Sequence, residues 1–162
     1  MANYKSILFF LFGVTVLTLT SCRKDIVYTE YRPVVGTGSL ASTGWHMDSL
    51  PRFDYTITDK DAAYSILVYV RHTERYPYQN MWLFIQPDSL HRDTIEFYLA
   101  DDRGQWLGDK HNGFIEMPVL YESNYHYPDT GHYSLVIQHG MRDSLLRGIT
   151  DVGVEIIKSP ND

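Results

Sequence analysis

The chain has 162 residues, an apolar fraction of 44%, a formal net charge of -6 and a single cysteine. That length accommodates one domain with at most a small appendage, and the apolar fraction is typical of a folded chain. The negative charge argues against nucleic acid as a partner, because proteins that bind phosphate backbones carry a basic face. The single cysteine excludes an internal disulfide framework and a cysteine-based zinc cluster.

The first 21 residues are predicted to be a lipoprotein signal peptide. Lys5 precedes an apolar run over residues 7–19, which is shorter than the roughly 20 residues that span a bilayer. The run ends in Leu19-Thr20-Ser21-Cys22, the pattern of a bacterial lipobox. Cys22 is therefore predicted to carry a diacylglycerol and an N-acyl chain such as palmitate, which together anchor a protein stably to a membrane. The alternative is an ordinary secretory signal followed by a chance cysteine.

The rest of the chain is predicted to contain a tether and one folded domain. Residues 22–38 are predicted to be the lipidated cysteine and a polar tether that leads away from the membrane. The tether ends in a small-residue loop, Gly36–Ser39, whose last residue begins the domain. Residues 39–162 are predicted to form the domain.

Short strands dominate the pattern of the predicted domain. Apolar and polar residues alternate in four segments, two more segments are continuously apolar, and turn residues separate them. A further candidate strand contains Pro118, which predicts an edge position or a bend. Ser144–Gly148 is predicted to form at most one helical turn. Strands at this spacing favour an all-β fold, a single β-sandwich or jelly-roll-like domain. The segments are 53–57, 64–70, 81–85, 94–99, 114–121, 133–137 and 152–156.

The sequence predicts no catalytic residues, no metal site and no cofactor beyond the acyl chains. Seven histidines are dispersed along the chain without the spacing of a helical zinc motif. His132 and His139 are seven residues apart and therefore lie on opposite faces of a strand. The segment Asp101–Asp109 is interpreted as a turn, with a calcium loop as the alternative. No nucleophile elbow is present, so an enzyme would require side chains that converge from distant strands.

Aromatic residues are the candidates for contacts with a protein partner. Exposed aromatic loops are typical of protein interfaces, although the same residues also fill cores and turns. Trp45, Trp82 and Trp106, with the 13 tyrosines, can alternatively form a sugar-stacking platform, which would indicate a surface carbohydrate-binding lipoprotein. The candidate partner-contact residues are Tyr76, Pro77, Tyr78, Trp106 and Trp45.

An ordered set of motifs follows the lipobox. They are WHMDS at 45–49, YPYQN at 76–80, DTIE at 93–96, LAD at 99–101, WLG at 106–108, GHY at 131–133, IQHGMR at 137–142 and GITDVG at 148–153. In this order the motifs resemble one known family, the gliding-motility lipoprotein GldH family of Bacteroidota. The resemblance covers roughly residues 22–158, and the order of the motifs makes it specific.

The resemblance implies a role in the cell envelope. It implies a lipid-anchored, non-enzymatic part of the gliding machinery, which is tied to type IX secretion, and a location in the outer membrane. It implies protein partners in that machinery, contact with the membrane through the anchor, and no catalytic residue. Envelope assembly or secretion in a bacterium that does not glide is equally compatible with the family.

Overall fold

The computed structural model describes residues 25–35, 44–87 and 90–159. The predicted signal peptide of residues 1–21, Cys22 and the Gly36–Ser39 loop lie outside these ranges. Within them, no helix has the length and apolar character needed to cross a membrane.

The described residues form an all-β fold of antiparallel strands. Alternating burial accounts for most strands, since one face of each points into the core and the other points to solvent. In chain order the strands are β1 (Asp25–Pro33), β2 (Gly44–His46), β3 (Arg52–Ile57), β4 (Tyr64–His72), β5 (Asn80–Gln86), β6 (Asp93–Tyr98), β7 (Asp109–His111), β8 (Phe114–Tyr125), β9 (Gly131–His139), β10 (Leu145–Arg147) and β11 (Ile149–Lys158).

Two larger sheets build the sandwich. One sheet has the order β1-β11-β4-β8-β7 and the other the order β3-β9-β5-β6, while β10 and β2 form a separate two-stranded sheet. The inward side chains of both larger sheets form one core cluster that includes Phe53, Val68, Leu83, Ile137 and Val154. Each fully buried aliphatic or aromatic side chain of this kind contributes about 1.5–3 kcal/mol to folding. The predicted single sandwich domain is therefore confirmed.

The strand registers define two ends of the sandwich. At the end where β1 begins, Asp25 pairs with Lys158, Lys158 with Tyr64, and Tyr64 with Tyr125; we call this the entry end. At the opposite or distal end, Ile149 pairs with the last residue of β4. These two ends carry different surfaces, as described below.

Two local predictions from the sequence are wrong. Asp25–Pro33, assigned to a tether, is strand β1, which forms eight residue pairs along the edge of β11. Its polar composition misled the prediction, because an edge strand exposes much of its surface and tolerates polar side chains. Ser144–Gly148, assigned to a helical turn, contains β10, whose three residues pair with β2.

The position of Pro118 agrees with its prediction. Pro118 pairs with Tyr69 of β4 on one side. On its other side β8 is covered by β7 only from Phe114 to Glu116. At Pro118 the strand is therefore an edge, where proline is tolerated.

Candidate partner-contact surface

Two of the five predicted contact residues belong to the core. Trp45 is fully buried, its indole Nε1 donates to the carbonyl of Ser49 at 2.8 Å, and its ring lies 5.2 Å from that of His139. Tyr76 is also buried and its hydroxyl donates to the carbonyl of Asn80 at 2.9 Å. The prediction that Trp45 and Tyr76 contact a partner is therefore wrong, because both side chains fill the space where the sandwich closes at its distal end.

The other three predicted contact residues reach the surface. Pro77 is exposed, and Tyr78 is half-buried with its hydroxyl donating to the carboxylate of Asp143 at 2.6 Å. Trp106 is half-buried and meets the ring of His72 edge-on at 4.7 Å. These three stay predicted contact residues, and Tyr78 leads directly to a larger surface feature.

An aromatic groove crosses the outer face of the four-stranded sheet, from Tyr78 and Met141 at the distal end to Thr94 of β6. Its position follows from β5, where Met81, Leu83 and Ile85 are fully buried and the residues between them must point outward. The groove encloses about 420 Å³. It is lined by Tyr78, Asn80, Trp82, Phe84, Thr94, Gly140, Met141 and Arg142.

Gly140 sets the depth of the aromatic groove. A Cβ added there would lie 3.1 Å from the ring of Phe84 and 3.2 Å from the Cβ of Trp82, closer than side chains normally pack. The Gly140 amide donates to the carbonyl of Trp82 at 2.7 Å, and the Trp82 amide donates to the sulfur of Met141 at 3.4 Å. The segment that follows β9 is thereby held against β5.

The aromatic groove continues into exposed neighbours on the same face. Trp82 is 39% exposed, and Tyr98, which is paired with Asn80 across to β6, is 59% exposed. Arg92 stacks on Phe84 at 4.0 Å and donates to Gln138 at 2.7 Å. Exposed tryptophan, tyrosine and arginine on one face are the residues that dominate binding energy in protein interfaces.

The outer face of the five-stranded sheet is built differently. Arg71 lies 3.7 Å from the ring of Tyr31 and 4.9 Å from that of Phe114, and it pairs with Glu116 at 2.6 Å. Burial, reinforced by the charge of the nearby carboxylate of Glu155, raises the pKa of Tyr69 to about 12. The rings of Tyr31, Phe114 and Tyr69 on this face therefore already have charged partners within the chain.

The histidines of the strands are distributed over both large sheets and β2, and of these only His46 on β2 adds to burial in lowering the pKa of His139. His72 on β4 and His139 on β9 are buried in different sheets, and burial lowers the pKa of both. His132 is exposed on the opposite face of β9 from His139, as predicted. Among the described residues no group of three or more histidine, cysteine or acidic side chains is arranged to hold a metal ion.

Asp101 closes a turn in the segment predicted as one. Its Oδ1 accepts the backbone amides of Arg103 at 2.9 Å and of Gln105 at 2.8 Å. The backbone amide of Gly104 also donates to the Asp101 carbonyl at 2.9 Å. This carboxylate therefore organises its own loop.

The three tryptophans do not form the sugar-stacking platform of the alternative interpretation. Trp45 is in the core, Trp82 lines the aromatic groove, and Trp106 packs on His72 of the five-stranded sheet. Their side chains occupy three different environments, whereas a stacking platform requires rings that share one exposed face.

Comparisons with known proteins agree with one another. Residues 30–156 match the model of a family described as GldH lipoprotein. The chain is 31% identical to a gliding motility lipoprotein GldH homolog of Christiangramia forsetii, over 94% of this chain and 96% of the relative. It is 29% identical to the gliding motility lipoprotein GldH of Flavobacterium johnsoniae, over 88% of this chain and 91% of the relative.

Proposed function

Because the chain belongs to the GldH lipoprotein family, we propose that it is a membrane-anchored, non-enzymatic component of the gliding apparatus. In this role it binds a protein partner through the aromatic groove. The resemblance predicted from the sequence motifs is thereby confirmed at the level of the family. The envelope location and the anchor are part of the proposal, with Cys22 as the residue that carries the lipid.

The aromatic groove is the observation that supports a binding role. An exposed tryptophan and an exposed tyrosine on a rigid sheet lose little conformational freedom on binding and bury a large area. Arg92 and Arg142 flank the aromatic rings and can pair with carboxylates of a partner. A link to type IX secretion and a location in the outer membrane extend the proposal, on the strength of the family resemblance.

The first experiment tests the role in the cell. The gene is deleted in the source bacterium and restored as wild type, as Trp82→Ala or as the matched control Leu120→Ala. Leu120 is 60% exposed on the other large sheet, so it controls for the loss of an exposed apolar side chain. Colony spreading and the amount of secreted cargo protein are measured, together with the level of the lipoprotein itself.

We expect the deletion to reduce spreading or secretion, the Trp82→Ala strain to resemble the deletion at normal protein level, and the Leu120→Ala strain to resemble wild type. Normal spreading and normal secretion in the deletion strain would contradict the proposed role. A normal Trp82→Ala strain beside a defective deletion strain would keep the role and remove the aromatic groove from it.

A further inference from the structure

A second cleft opens between the two large sheets at the entry end. We call it the tyrosine cleft. It encloses about 380 Å³ and is lined by five tyrosines, which come from β3, β8, β9 and the segment between β8 and β9. They are Tyr55, Tyr121, Tyr125, Tyr127 and Tyr133.

We propose that the tyrosine cleft is a binding site for a small organic ammonium cation. The site is separate from the aromatic groove, because it opens between the two large sheets, whereas the aromatic groove lies on the outer face of the four-stranded sheet. Failure of this proposal would therefore leave the proposed function unaffected, and failure of the proposed function would leave this proposal unaffected.

The tyrosine rings that line the cleft pack against one another in several orientations. The rings of Tyr55 and Tyr133 are stacked with an interplanar angle of 18° and a centroid distance of 6.1 Å. Tyr127 lies 4.6 Å from Tyr133 and meets Tyr125 edge-on at 4.8 Å. Ring faces carry negative charge density, which attracts ammonium groups.

The exposure of the tyrosines distinguishes a floor and a mouth of the cleft. Tyr55 and Tyr127 are 6% and 4% exposed, whereas Tyr125 at the mouth is 38% exposed. The hydroxyl of Tyr127 donates to that of Tyr55 at 3.1 Å, so the polar atoms at the floor satisfy each other. The volume is within the range of small-molecule pockets, and a choline-sized cation fits it.

The charge of the lining favours a cation. Asp93 and Glu122 both line the tyrosine cleft, and His91 is its one basic residue within the described part of the chain. The Tyr121 hydroxyl donates to the carboxylate of Asp93. Burial and then this hydrogen bond raise the pKa of Tyr121, so the phenol stays a neutral donor.

Three positively charged side chains near the entry end have partners outside the tyrosine cleft. Arg92, next to Asp93 in the chain, turns to the outer face of the sheet and stacks on Phe84. Lys60 and Lys158 are paired with Asp61 and Asp59 respectively, each at 2.7 Å. By contrast, Arg142 lines the aromatic groove at the distal end. The charge pattern therefore distinguishes the two clefts and directs cations to the tyrosine cleft.

The test compares a cation with its neutral isostere. The purified full-length lipoprotein, in a non-ionic detergent, is titrated with choline chloride and separately with 3,3-dimethylbutanol, in which carbon replaces the charged nitrogen. Sodium chloride at matched ionic strength serves as the salt control. Tyrosine fluorescence and ring-proton chemical shifts report occupancy. We expect saturable binding of choline and about tenfold weaker binding of the neutral isostere.

Three variants locate the binding. Glu122→Gln removes a charge at constant size and should weaken choline binding about fivefold. Tyr125→Leu removes a ring at the mouth and should weaken choline binding further. Tyr69→Leu, which removes the ring of a half-buried tyrosine of β4 outside the cleft, should leave choline binding unchanged. Near-ultraviolet circular dichroism checks that each variant is folded.

Three outcomes would overturn the proposal. They are the absence of saturable choline binding by the folded protein, equal affinity for the neutral isostere, and choline binding that Glu122→Gln and Tyr125→Leu leave intact. Saturable binding of neutral oligosaccharides instead of choline would also overturn it and would point to the carbohydrate-binding alternative. None of these outcomes bears on the spreading assay.

Discussion

Gly148, between β10 and β11, shows how one residue holds the distal end together. Its φ is +85°, and an added Cβ would lie 2.4 Å from the backbone nitrogen of Tyr76. Its carbonyl accepts the backbone amide of Thr73 at 2.7 Å. Neither the backbone conformation nor the space allows a side chain, so this turn and the Tyr76 loop pack as one unit.

We expect Gly148→Ala to lower the free energy of unfolding by about 3 kcal/mol or more, because it combines strain with a backbone clash. Gly104→Ala is the matched control, since Gly104 has φ +77° but no atom within 4 Å of an added Cβ. It should lose only about 1 kcal/mol. Urea denaturation of both variants measures the difference, and equal losses would show that the contact with Tyr76 is unimportant.

The buried histidines predict a pH dependence of stability. Burial holds the pKa of both His72 and His139 below the ordinary value near 6.5. Above that value both folded and unfolded chains are neutral at these rings, and their contribution to stability is complete. As the pH falls below about 6.5, the unfolded chain binds protons that the folded chain does not, so stability decreases.

We expect His139→Leu to reduce the loss of unfolding free energy between pH 7 and pH 5, because the titrating group is removed from its buried site. His132→Leu, at an exposed position on the same strand, is the control and should leave the loss in place. Urea denaturation across this pH range measures both variants. An unchanged pH dependence in His139→Leu would contradict the assignment to His139.

At the scale of elements, β1 is part of the domain. It covers the edge of β11 and places Tyr28 against the core, 5.6 Å from the ring of Tyr55. Val34, just after the strand, is itself buried, and its amide donates to the carbonyl of Thr150 at 3.0 Å. The sandwich therefore depends on residues that precede residue 39.

Removal of β1 should destabilise the domain by several kcal/mol, because it exposes apolar core surface and the β11 edge. A chain that begins at residue 25 is the control and should unfold cooperatively in urea. A chain that begins at residue 36 should unfold at lower urea or aggregate. Equal unfolding midpoints would restore the tether interpretation of Asp25–Pro33.

The strands that could be predicted are those whose pattern is local. Alternation is visible in β3 and β9, and long apolar runs identify β4 and β5. A three-residue strand is too short to show an alternating pattern, so β2 and β10 could not be predicted from local sequence. Each forms because it pairs with the other across the chain. Position 44 requires glycine, because an added Cβ would lie 2.4 Å from the carbonyl oxygen of Leu146. No local sequence pattern reveals this contact.

The candidate site was only partly predictable. Tyr78 is a predicted contact residue because it lies in an aromatic loop, and it does line the aromatic groove. Trp82 and Phe84 were missed as contact residues because their strand is apolar on both parities. The available signal was that Trp82 and Phe84 alternate with Met81 and Leu83. When one face of a strand is buried, the other points to solvent, and large aromatic residues on that solvent face indicate a contact surface because folding does not require them there. Burial of Trp45 could not be inferred, because its cover comes from distant residues.

At the scale of the whole molecule, the two ends face different surroundings. Cys22 precedes Asp25 by three residues, which extend over at most about 11 Å. If Cys22 carries the proposed lipid, the entry end lies close to the bilayer, and the part of the aromatic groove at Tyr78 and Met141 lies farthest from it. The groove is then available to a partner that projects from, or spans, the adjacent compartment.

We expect Cys22→Ala to abolish labelling with radioactive palmitate and to release the protein from the membrane fraction, because acyl chains provide the anchor. Ser21→Ala, which keeps a small residue before the cysteine, is the control and should retain both properties. Retained labelling in Cys22→Ala would contradict lipidation at this residue.

The direction of β1 determines how the domain responds to tension. If Cys22 carries the anchor, a pull on it enters the fold at Asp25 and runs along β1, and a partner bound at the aromatic groove would oppose it. The hydrogen bonds between β1 and β11 lie across this direction, and eight residue pairs share the force. These pairs must shear together instead of opening one after another. The same ladder would unzip under a sideways pull, so β1 resists a force along the strands better than a force across them.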